Sequence, residues 1–203
     1  MVLSDCTIRE LVKSAHMIEP FCEDQLQAAS YDITASEIAM IFKSRSQPID
    51  LQDKVQMERA VEEINISAGY YIKPGEYILV KTQEKFNIPG NVTAHTRPRT
   101  TFTRAGLVLS DQHMNPGFCG RLYLGLYNAT PNIMRIRSGL QVGQMVFEEI
   151  HGNITTEKLY NHKPDAKYQD EDKFRVPSFD ELTPEDQEAV RKLTEKMLGK
   201  QNV

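Results

Sequence analysis

Short apolar stretches separated by turn residues dominate the chain from residue 70 onward. Apolar positions alternate or run together at 70–72, 77–80, 107–109, 122–127 and 142–150, and glycine, proline or asparagine separates these stretches. Runs this short, bounded by turn formers, predict β-strands rather than helices. Many short strands at this spacing are typical of an antiparallel sandwich or a distorted barrel, so we expect a mainly β fold.

The two ends of the chain carry helix patterns instead. Ser4 precedes apolar residues at helical spacing and predicts a short, capped N-terminal helix. Near the other end, Thr183 and Pro184 precede acidic residues, which predicts a C-terminal helix over about 183–199. Its apolar face favours packing on its own domain or across a subunit boundary over recruitment of a separate partner.

Three other segments help to divide the chain. Residues 30–34 alternate as a strand does, and residues 73–76 (KPGE) predict a turn between two strands. Residues 44–66 are polar, and the stretch 51–64 predicts either a surface helix or an extended excursion. We therefore expect a β-rich domain over 1–172, followed by a tail over 173–203 that carries the second helix.

Composition limits the classes of ligand and the compartment. The chain has 203 residues, enough for one domain, and a formal net charge of −4. A nucleic-acid binder usually shows a basic field, so an anionic ligand would have to be held by a local cluster of arginine and lysine. The sequence has no membrane-length apolar run and no signal-peptide core, which favours a cytoplasmic protein.

The cysteines argue against a disulfide framework and against zinc. Cys6, Cys22 and Cys119 are far apart, and an odd number without a CxxC pair is typical of reduced thiols. Zinc-dependent cytidine deaminases need a PCxxC pair, which this sequence lacks, and its five histidines show no metal-ligand spacing.

One segment concentrates groups suited to phosphate. Arg99 and Arg104 flank the two hydroxyl residues Thr100 and Thr101. Guanidinium groups and hydroxyls suit phosphate oxygens, because both donate hydrogen bonds and guanidinium also carries charge. Taken alone, two arginines at this spacing are more often a solvated surface than a binding site.

Several separated segments resemble, in the same order, motifs of the dCTP deaminase/dUTPase family. Residues 99–106 (RTTFTRAG) resemble the motif R-S-S-x-x-R-x-G, and residues 115–120 (NPGFCG) resemble D-P-G-W-x-G. Residues 165–168 (DAKY) resemble the tail motif of the dCTP deaminase branch, and residues 74–80 resemble the family's central hairpin. With the N-terminal signature, the resemblance covers about residues 1–172.

The resemblance implies a fold, an assembly and a ligand. It implies a distorted antiparallel β-barrel of the dUTPase-like (β-clip) type, assembled as a homotrimer with its sites between subunits. The implied ligand is a pyrimidine deoxynucleoside triphosphate, with Mg²⁺ bound through the triphosphate. The implied nucleotide-binding residues are Arg99, Thr100, Thr101, Arg104, Asn115, Tyr123, Leu124, Tyr160, Lys167 and Glu171. The implied catalytic positions are Thr100, Arg104 and Gly125.

The sequence departs from the family where the chemistry should occur. Gly125 stands where family deaminases carry the glutamate that activates water for attack on C4 of cytosine. Asn115 stands where dUTPases carry an aspartate. Neither residue can act as a general base, and such a base commonly contributes about 10²–10⁴ in rate.

Two interpretations of these departures remain open. Asp111, or His113 beside it, is a candidate surrogate base, although isolated loop residues of these types are more often caps or surface groups. Gly125 is compatible with a bulge or a close backbone approach, and also with a pocket enlarged for a modified base.

The family resemblance and the departures from it leave three possible functions. The first is an active enzyme that deaminates dCTP, hydrolyses dUTP or acts on a modified pyrimidine nucleotide. The second is a nucleotide-binding regulatory trimer that has lost catalysis. The third, independent of the resemblance, is a β-rich interaction module whose helical tail recruits a partner.

Overall fold

The computed structural model describes residues 1–177 together with Glu188 and Lys192. The chain divides into two compact units. One comprises Met1–Lys43 and Val61–Arg175, and the other comprises Ser44–Ala60 and Val176–Val203. Within the described residues, no helix is both long and apolar enough to cross a membrane.

The described residues form mainly strands. The helices are α1 Asp5–Ala15, α2 Lys54–Ala60 and α3 Thr100–Arg104. The strands are β1 Ile18–Glu19, β2 Leu26–Gln27, β3 Ser30–Phe42, β4 Val61–Asn65, β5 Tyr70–Ile72, β6 Tyr77–Asn87, β7 Val92–Pro98, β8 Leu107–Leu109, β9 His113–Met114, β10 Cys119–Asn128, β11 Met134–Ile136 and β12 Gln141–Glu149. Single 3-10 turns lie at Glu23–Gln25, Thr156–Lys158 and Tyr160–His162. The prediction of a mainly β fold is confirmed.

Ten of these strands form one antiparallel sheet. Its main path runs β8-β10-β6-β3-β12-β7-β9, with β1 on β6 and with β2 and β4 on β3. The other two strands, β5 and β11, pair with each other. The path makes β10 a neighbour of β6 and β8, and this neighbourhood contains the candidate site.

The N-terminal helix begins where the sequence predicted. The Ser4 side chain accepts a hydrogen bond from the Thr7 backbone N–H, which satisfies one of the unpaired amides of the first turn. Helix α1 ends at Ala15. The next residue, His16, has the left-handed conformation, and its N–H donates to the Val12 carbonyl. Ile8 is fully buried and fixes the helix to the core.

Strand β10 is buried on one face and partly buried on the other. Leu122, Leu124 and Leu126 are at most 6% exposed, as expected for a core face. Tyr123 on the opposite face is only 7% exposed. The ring of Phe174 from the C-terminal segment lies 5.0 Å from the Tyr123 ring, centroid to centroid. The C-terminal segment therefore covers the second face of β10 at Tyr123, whereas Tyr127 on that face is exposed.

The turn predicted at residues 73–76 lies between two strands as expected, but these two strands do not pair with each other as a hairpin. β5 pairs with β11 and not with β6. The turn is instead bound to the end of β10, because the Gly75 N–H donates to the Asn128 carbonyl and the Asn128 N–H donates to the Glu76 carbonyl. Asn128 therefore binds the turn between β5 and β6, two strands that are neighbours in the sequence but are not paired with each other.

Two other predicted segments have mixed outcomes. The stretch 51–64 is neither wholly helical nor wholly extended, since α2 occupies its middle and β4 follows directly and pairs with β3. The C-terminal helix predicted over 183–199 lies outside the described residues except for Glu188 and Lys192. These two are helical and form an ion pair of 3.5 Å.

Candidate functional site

The cationic segment forms a short helix that is fixed at its first residue. Arg99 precedes α3, and one of its terminal nitrogens lies 3.3 Å from Asp32 Oδ2. The other donates to the carbonyl and side-chain oxygens of Gln141. Because Asp32 and Gln141 belong to β3 and β12, Arg99 anchors the start of α3 to two central strands.

Asp32 is a buried carboxylate whose charge is offset locally. Its residue is 4% exposed, and burial raises the pKa of its carboxyl, while Arg99 and a hydrogen bond from Gln27 act in the opposite direction. Removing one partner of such a pair leaves the other without compensation. The pair thus explains why α3 keeps its place at the end of β7.

The remaining groups of α3 are available at the surface. Thr100, Thr101 and Arg104 are all exposed. The short helix therefore presents three threonine hydroxyls, including those of Thr100 and Thr101, and a guanidinium group within five residues. These exposed groups are of the type that suits phosphate, so their role stays a prediction, whereas Arg99 is engaged with Asp32.

The proposed surrogate bases are paired with other side chains. Asp111 Oδ2 lies 2.6 Å from the guanidinium of Arg97. His113 Nδ1 lies 2.9 Å from Nε2 of His95, across the β7–β9 pair. These contacts give both residues a structural role, and the surrogate-base role stays a prediction.

Gly125 is closely covered rather than open. A Cβ atom built on Gly125 would overlap the phenol of Tyr77 and would lie 2.6 Å from Ser110 Oγ. The backbones of Ser110 and Gly125 are also bound together, since the Ser110 N–H donates to the Gly125 carbonyl at 2.9 Å. The Gly125 N–H donates to Ser110 Oγ at 3.1 Å. Two side chains therefore approach Gly125 closely, whereas a pocket enlarged for a modified base stays a prediction.

The C-terminal segment packs on the loop that precedes β10. The Tyr160 N–H donates to the Pro116 carbonyl at 2.8 Å, and the Tyr160 ring lies 5.7 Å from the Phe118 ring. The Tyr168 N–H donates to the Tyr160 hydroxyl at 3.1 Å. Asn115 is half-buried in the same loop, where its carbonyl accepts from the Phe118 N–H.

Glu171 joins this segment to the start of β10. Its carbonyl accepts from the Arg121 N–H at 2.8 Å, and its carboxylate accepts from the Arg175 N–H at 2.8 Å. The residue is 7% exposed, and burial raises the pKa of its carboxyl. Lys167, four residues earlier, is exposed, and its carbonyl accepts from the Arg175 guanidinium. The segment thus presents Lys167 outward while Glu171 and Arg175 hold it in place.

Within one chain, α3 and the C-terminal segment attach to opposite ends of β10. The Gly106 carbonyl, just after α3, accepts from the Ala129 N–H, whereas Glu171 binds Arg121. Eight residues of extended strand separate those two positions, which corresponds to roughly 25 Å. Gly125 lies between them, and Tyr123 and Leu124 lie nearer the Glu171 end.

Two residues near Gly125 were not predicted from the sequence. Tyr77 and Ser110 both lie over it, and Tyr77 reaches it from the neighbouring strand β6. Ser110 adjoins the candidate Asp111, but nothing in the sequence reveals the register that sets Tyr77 beside Gly125. No three His, Cys, Asp or Glu side chains are grouped as metal ligands within residues 1–177 and the two described tail residues.

Comparison with known proteins identifies the family to which the chain is similar. The family model described as dCTP deaminase-like matches residues 2–150. A dUMP-forming dCTP deaminase from Hydrogenobaculum sp. is 32% identical over 152 residues, covering 74% of this chain and 83% of that protein. A dCTP deaminase from Helicobacter hepaticus is 31% identical over 185 residues, covering 86% and 96%.

A solved structure shows the same fold. The crystal structure of 2'-deoxycytidine 5'-triphosphate deaminase from Agrobacterium tumefaciens superposes with a TM-score of 0.59 at 22% identity, over 71% of this chain. This chain spans about half of that one, 47% of its length. The family model covers most of the chain, including α3 and β10, so the chain belongs to the dCTP deaminase-like family.

Proposed function

We propose that the chain binds a pyrimidine deoxynucleoside triphosphate and acts on it as an enzyme of cytoplasmic pyrimidine nucleotide metabolism. The observation that carries this proposal is α3, where Asp32 anchors Arg99 and where Thr100, Thr101 and Arg104 are exposed. Charge-assisted hydrogen bonds from such groups are the usual means of holding phosphates. Arg104 makes the main phosphate contact, and Arg99 orients the helix.

The site is shared between subunits of a homotrimer. In one chain, α3 and the segment that carries Tyr160 and Lys167 bind β10 at ends roughly 25 Å apart. A nucleotide triphosphate is too short to contact both, so a neighbouring copy supplies the second half in a closed assembly. Lys167 and Tyr160 of one subunit then complete the phosphate site that α3 of another begins.

Mg²⁺ accompanies the nucleotide through its phosphates. The ion prefers oxygen ligands and commonly binds substrate phosphates while it keeps several waters. The groups on α3 are hydroxyls and a guanidinium, and Asp32 beside them is committed to Arg99. This donor set fits an ion carried by the triphosphate, where it neutralises charge on the phosphate oxygens.

The relatives' reactions indicate the type of chemistry. Both relatives named above are dCTP deaminases, and the Hydrogenobaculum protein is dUMP-forming. The proposed reactions are therefore deamination of dCTP, hydrolysis of dUTP, or either reaction on a modified pyrimidine nucleotide.

A second candidate is a trimer that binds the nucleotide without turnover. Gly125 carries no side chain and is covered by Tyr77, and Asn115 carries an amide. Neither position supplies a base for water, whereas the binding groups of α3 remain.

One assay separates these functions. Purified protein is incubated with Mg²⁺ and with dCTP, dUTP or modified analogues, and the products are resolved by chromatography. The enzyme is supported if product forms and if Arg104→Ala abolishes it. Arg137→Ala is the control, because it removes an exposed arginine just after β11, and it should preserve product formation. Tight binding without product supports the regulatory trimer. Absence of binding, or binding that Arg104→Ala leaves unchanged, contradicts both.

The assembly is tested separately. Sedimentation should give a particle of three 23.2 kDa protomers. Mixing Arg104→Ala with Lys167→Ala protein should restore part of the binding, because some interfaces then combine two intact halves. Failure of any mixture to recover binding would contradict a shared site.

A further inference from the structure

Glu84 is a buried carboxylate that lies apart from the phosphate-binding groups. It belongs to β6 and is 1% exposed. Both of its oxygens accept from the Thr34 N–H, at 3.2 and 3.0 Å, and Oε1 also accepts from Gln25 Nε2 at 3.1 Å. We propose that Glu84 is a positioning residue for α3, acting through β3 and the Asp32–Arg99 ion pair. This inference rests on the proposed function, which assigns the nucleotide's phosphates to α3.

Strand β3 changes partner at the point where Glu84 binds it. From Ala35 onward its residues pair with β6, whereas residues 31–34 pair with β12. The Thr34 N–H lies at this change and donates to the Glu84 carboxylate. A buried backbone N–H needs an acceptor, and a side chain can supply one where a strand changes partner. Glu84 therefore holds β3 where the strand passes from one partner to the other.

Gln25 extends this contact to the residue that anchors α3. Its Nε2 donates to the Asp32 carbonyl at 2.8 Å and to Thr34 Oγ1 at 2.6 Å. The Asp32 carboxylate lies 3.3 Å from the guanidinium of Arg99, which directly precedes α3. Glu84 and Gln25 thus fix the backbone of β3 around Asp32, and the position of the Asp32 carboxylate depends on that backbone.

The groups around Glu84 suit a carboxylate and not an amide. An ionised carboxylate only accepts hydrogen bonds, and the Thr34 N–H and the Gln25 amide both donate to it. Burial raises the pKa of the Glu84 carboxyl, while these hydrogen bonds act in the opposite direction. In Glu84→Gln, either orientation of the new amide sets its NH2 group against one of the two donors. A flip of Gln25 would only move the conflict, because its oxygen would then face the Asp32 carbonyl.

Calorimetry on the full chain tests this role. Dissociation constants are measured with Mg²⁺ for the α,β-imido analogues of dUTP and dCTP, and for dUMP and dCMP by displacement of the bound analogue. The ratio of the monophosphate constant to the triphosphate constant measures how well α3 holds the outer phosphates. A shift of α3 lowers this ratio, whereas a loss of folded protein lowers the number of sites and leaves the ratio unchanged. We expect Glu84→Gln to lower the ratio about tenfold, the effect of one hydrogen bond, and Gln25→Ala to lower it about threefold.

Glu76→Gln is the matched control. Its carboxylate also accepts from a backbone N–H, that of Lys73 at 2.7 Å, but it belongs to the turn before β6. This variant should keep the wild-type ratio, and an equal loss there would overturn the positioning role. Circular dichroism and sedimentation check the fold and assembly of each variant. If Glu84→Gln does not fold, the ratio for Gln25→Ala decides, because Gln25 is only half-buried.

An Asp32→Asn background tests the route to α3. If Glu84 acts through the ion pair, Glu84→Gln should add little to the loss that Asp32→Asn causes, and an equal further loss there would overturn the route. If the wild type binds neither triphosphate, or if Arg104→Ala leaves the ratio unchanged, the proposed function fails together with this inference. Should Arg104→Ala lower the ratio while Glu84→Gln and Gln25→Ala keep it, only the positioning role is overturned.

Discussion

Replacing Gly125 by alanine should destabilise the protein because its methyl group has no space. The new Cβ would overlap the Tyr77 phenol and would lie 2.6 Å from Ser110 Oγ. Gly125 is not among the glycines with left-handed backbone, so any strain comes from packing and not from φ. Adding a methylene-sized group to a filled site commonly costs about 1–3 kcal/mol, and we expect a loss of unfolding free energy in that range.

The cause of this loss is isolated by a second substitution. In a Tyr77→Ala background the main obstacle is gone, although Ser110 remains. Glycine-to-alanine exchange at a compatible backbone position usually stabilises by about 0.4–1 kcal/mol, because it restricts the unfolded chain. Gly125→Ala should therefore be nearly neutral or stabilising there, and the two substitutions should couple by about 1–3 kcal/mol.

Urea unfolding followed by far-ultraviolet circular dichroism measures both effects. Protomer concentration must be held constant, because assembly would make stability depend on it. Gly90→Ala is a matched control, since a Cβ there would meet only Leu159, at an ordinary 3.5 Å. Equal costs of Gly125→Ala in both backgrounds would refute the packing argument, and so would the absence of any cost in the wild-type background.

Two further predictions concern carboxylate groups, one at Glu171 and one introduced at position 125. Burial raises the pKa of Glu171 above its ordinary 4.5, so ionising it costs native stability as pH rises above that value. Glu171→Gln keeps an acceptor for the Arg175 N–H and should be more stable than wild type near neutral pH but not below pH 4.5; an equal difference in urea midpoint at pH 4 and pH 7 would contradict this. Gly125→Glu alone should give no gain in conversion of dCTP, because Tyr77 occupies the space, whereas adding Tyr77→Ala provides room for the carboxylate. Chromatography of the product measures it, and a gain in the single variant would show that Tyr77 moves aside.

The fold was largely predictable because its signals are local. Ser4 caps α1 through a contact three residues away, and the strand at 107–109 is bounded by its own turn residues. The pairing of strands depends on contacts between distant segments. The turn at 73–76 was predictable from its own residues, but the pairing of β5 with the distant β11 was not, and Asn128 binds both that turn and Ile72.

The candidate site was predictable in its motifs and not in its contacts. The sequence identified Arg99 as a candidate phosphate-binding residue. Its ion pair with Asp32 could not be predicted, because it depends on the pairing of β3 with β12 and of β12 with β7. It also identified Gly125 as a departure from the family without showing what fills the space. Tyr77 reaches Gly125 because β6 and β10 are neighbours, and that register is a property of the folded sheet.

The fit of Tyr77 to Gly125 bears on what the loss of the glutamate means. Deleting a buried side chain from an otherwise unchanged site leaves a cavity, which costs stability in proportion to its volume. Here the space is filled, since Tyr77 covers it from β6 and Ser110 binds the backbone on the other side. A glycine is required by that arrangement, because any Cβ would displace the phenol. The glycine and the tyrosine therefore form one structural unit, and reversing either alone would leave an overlap or a void.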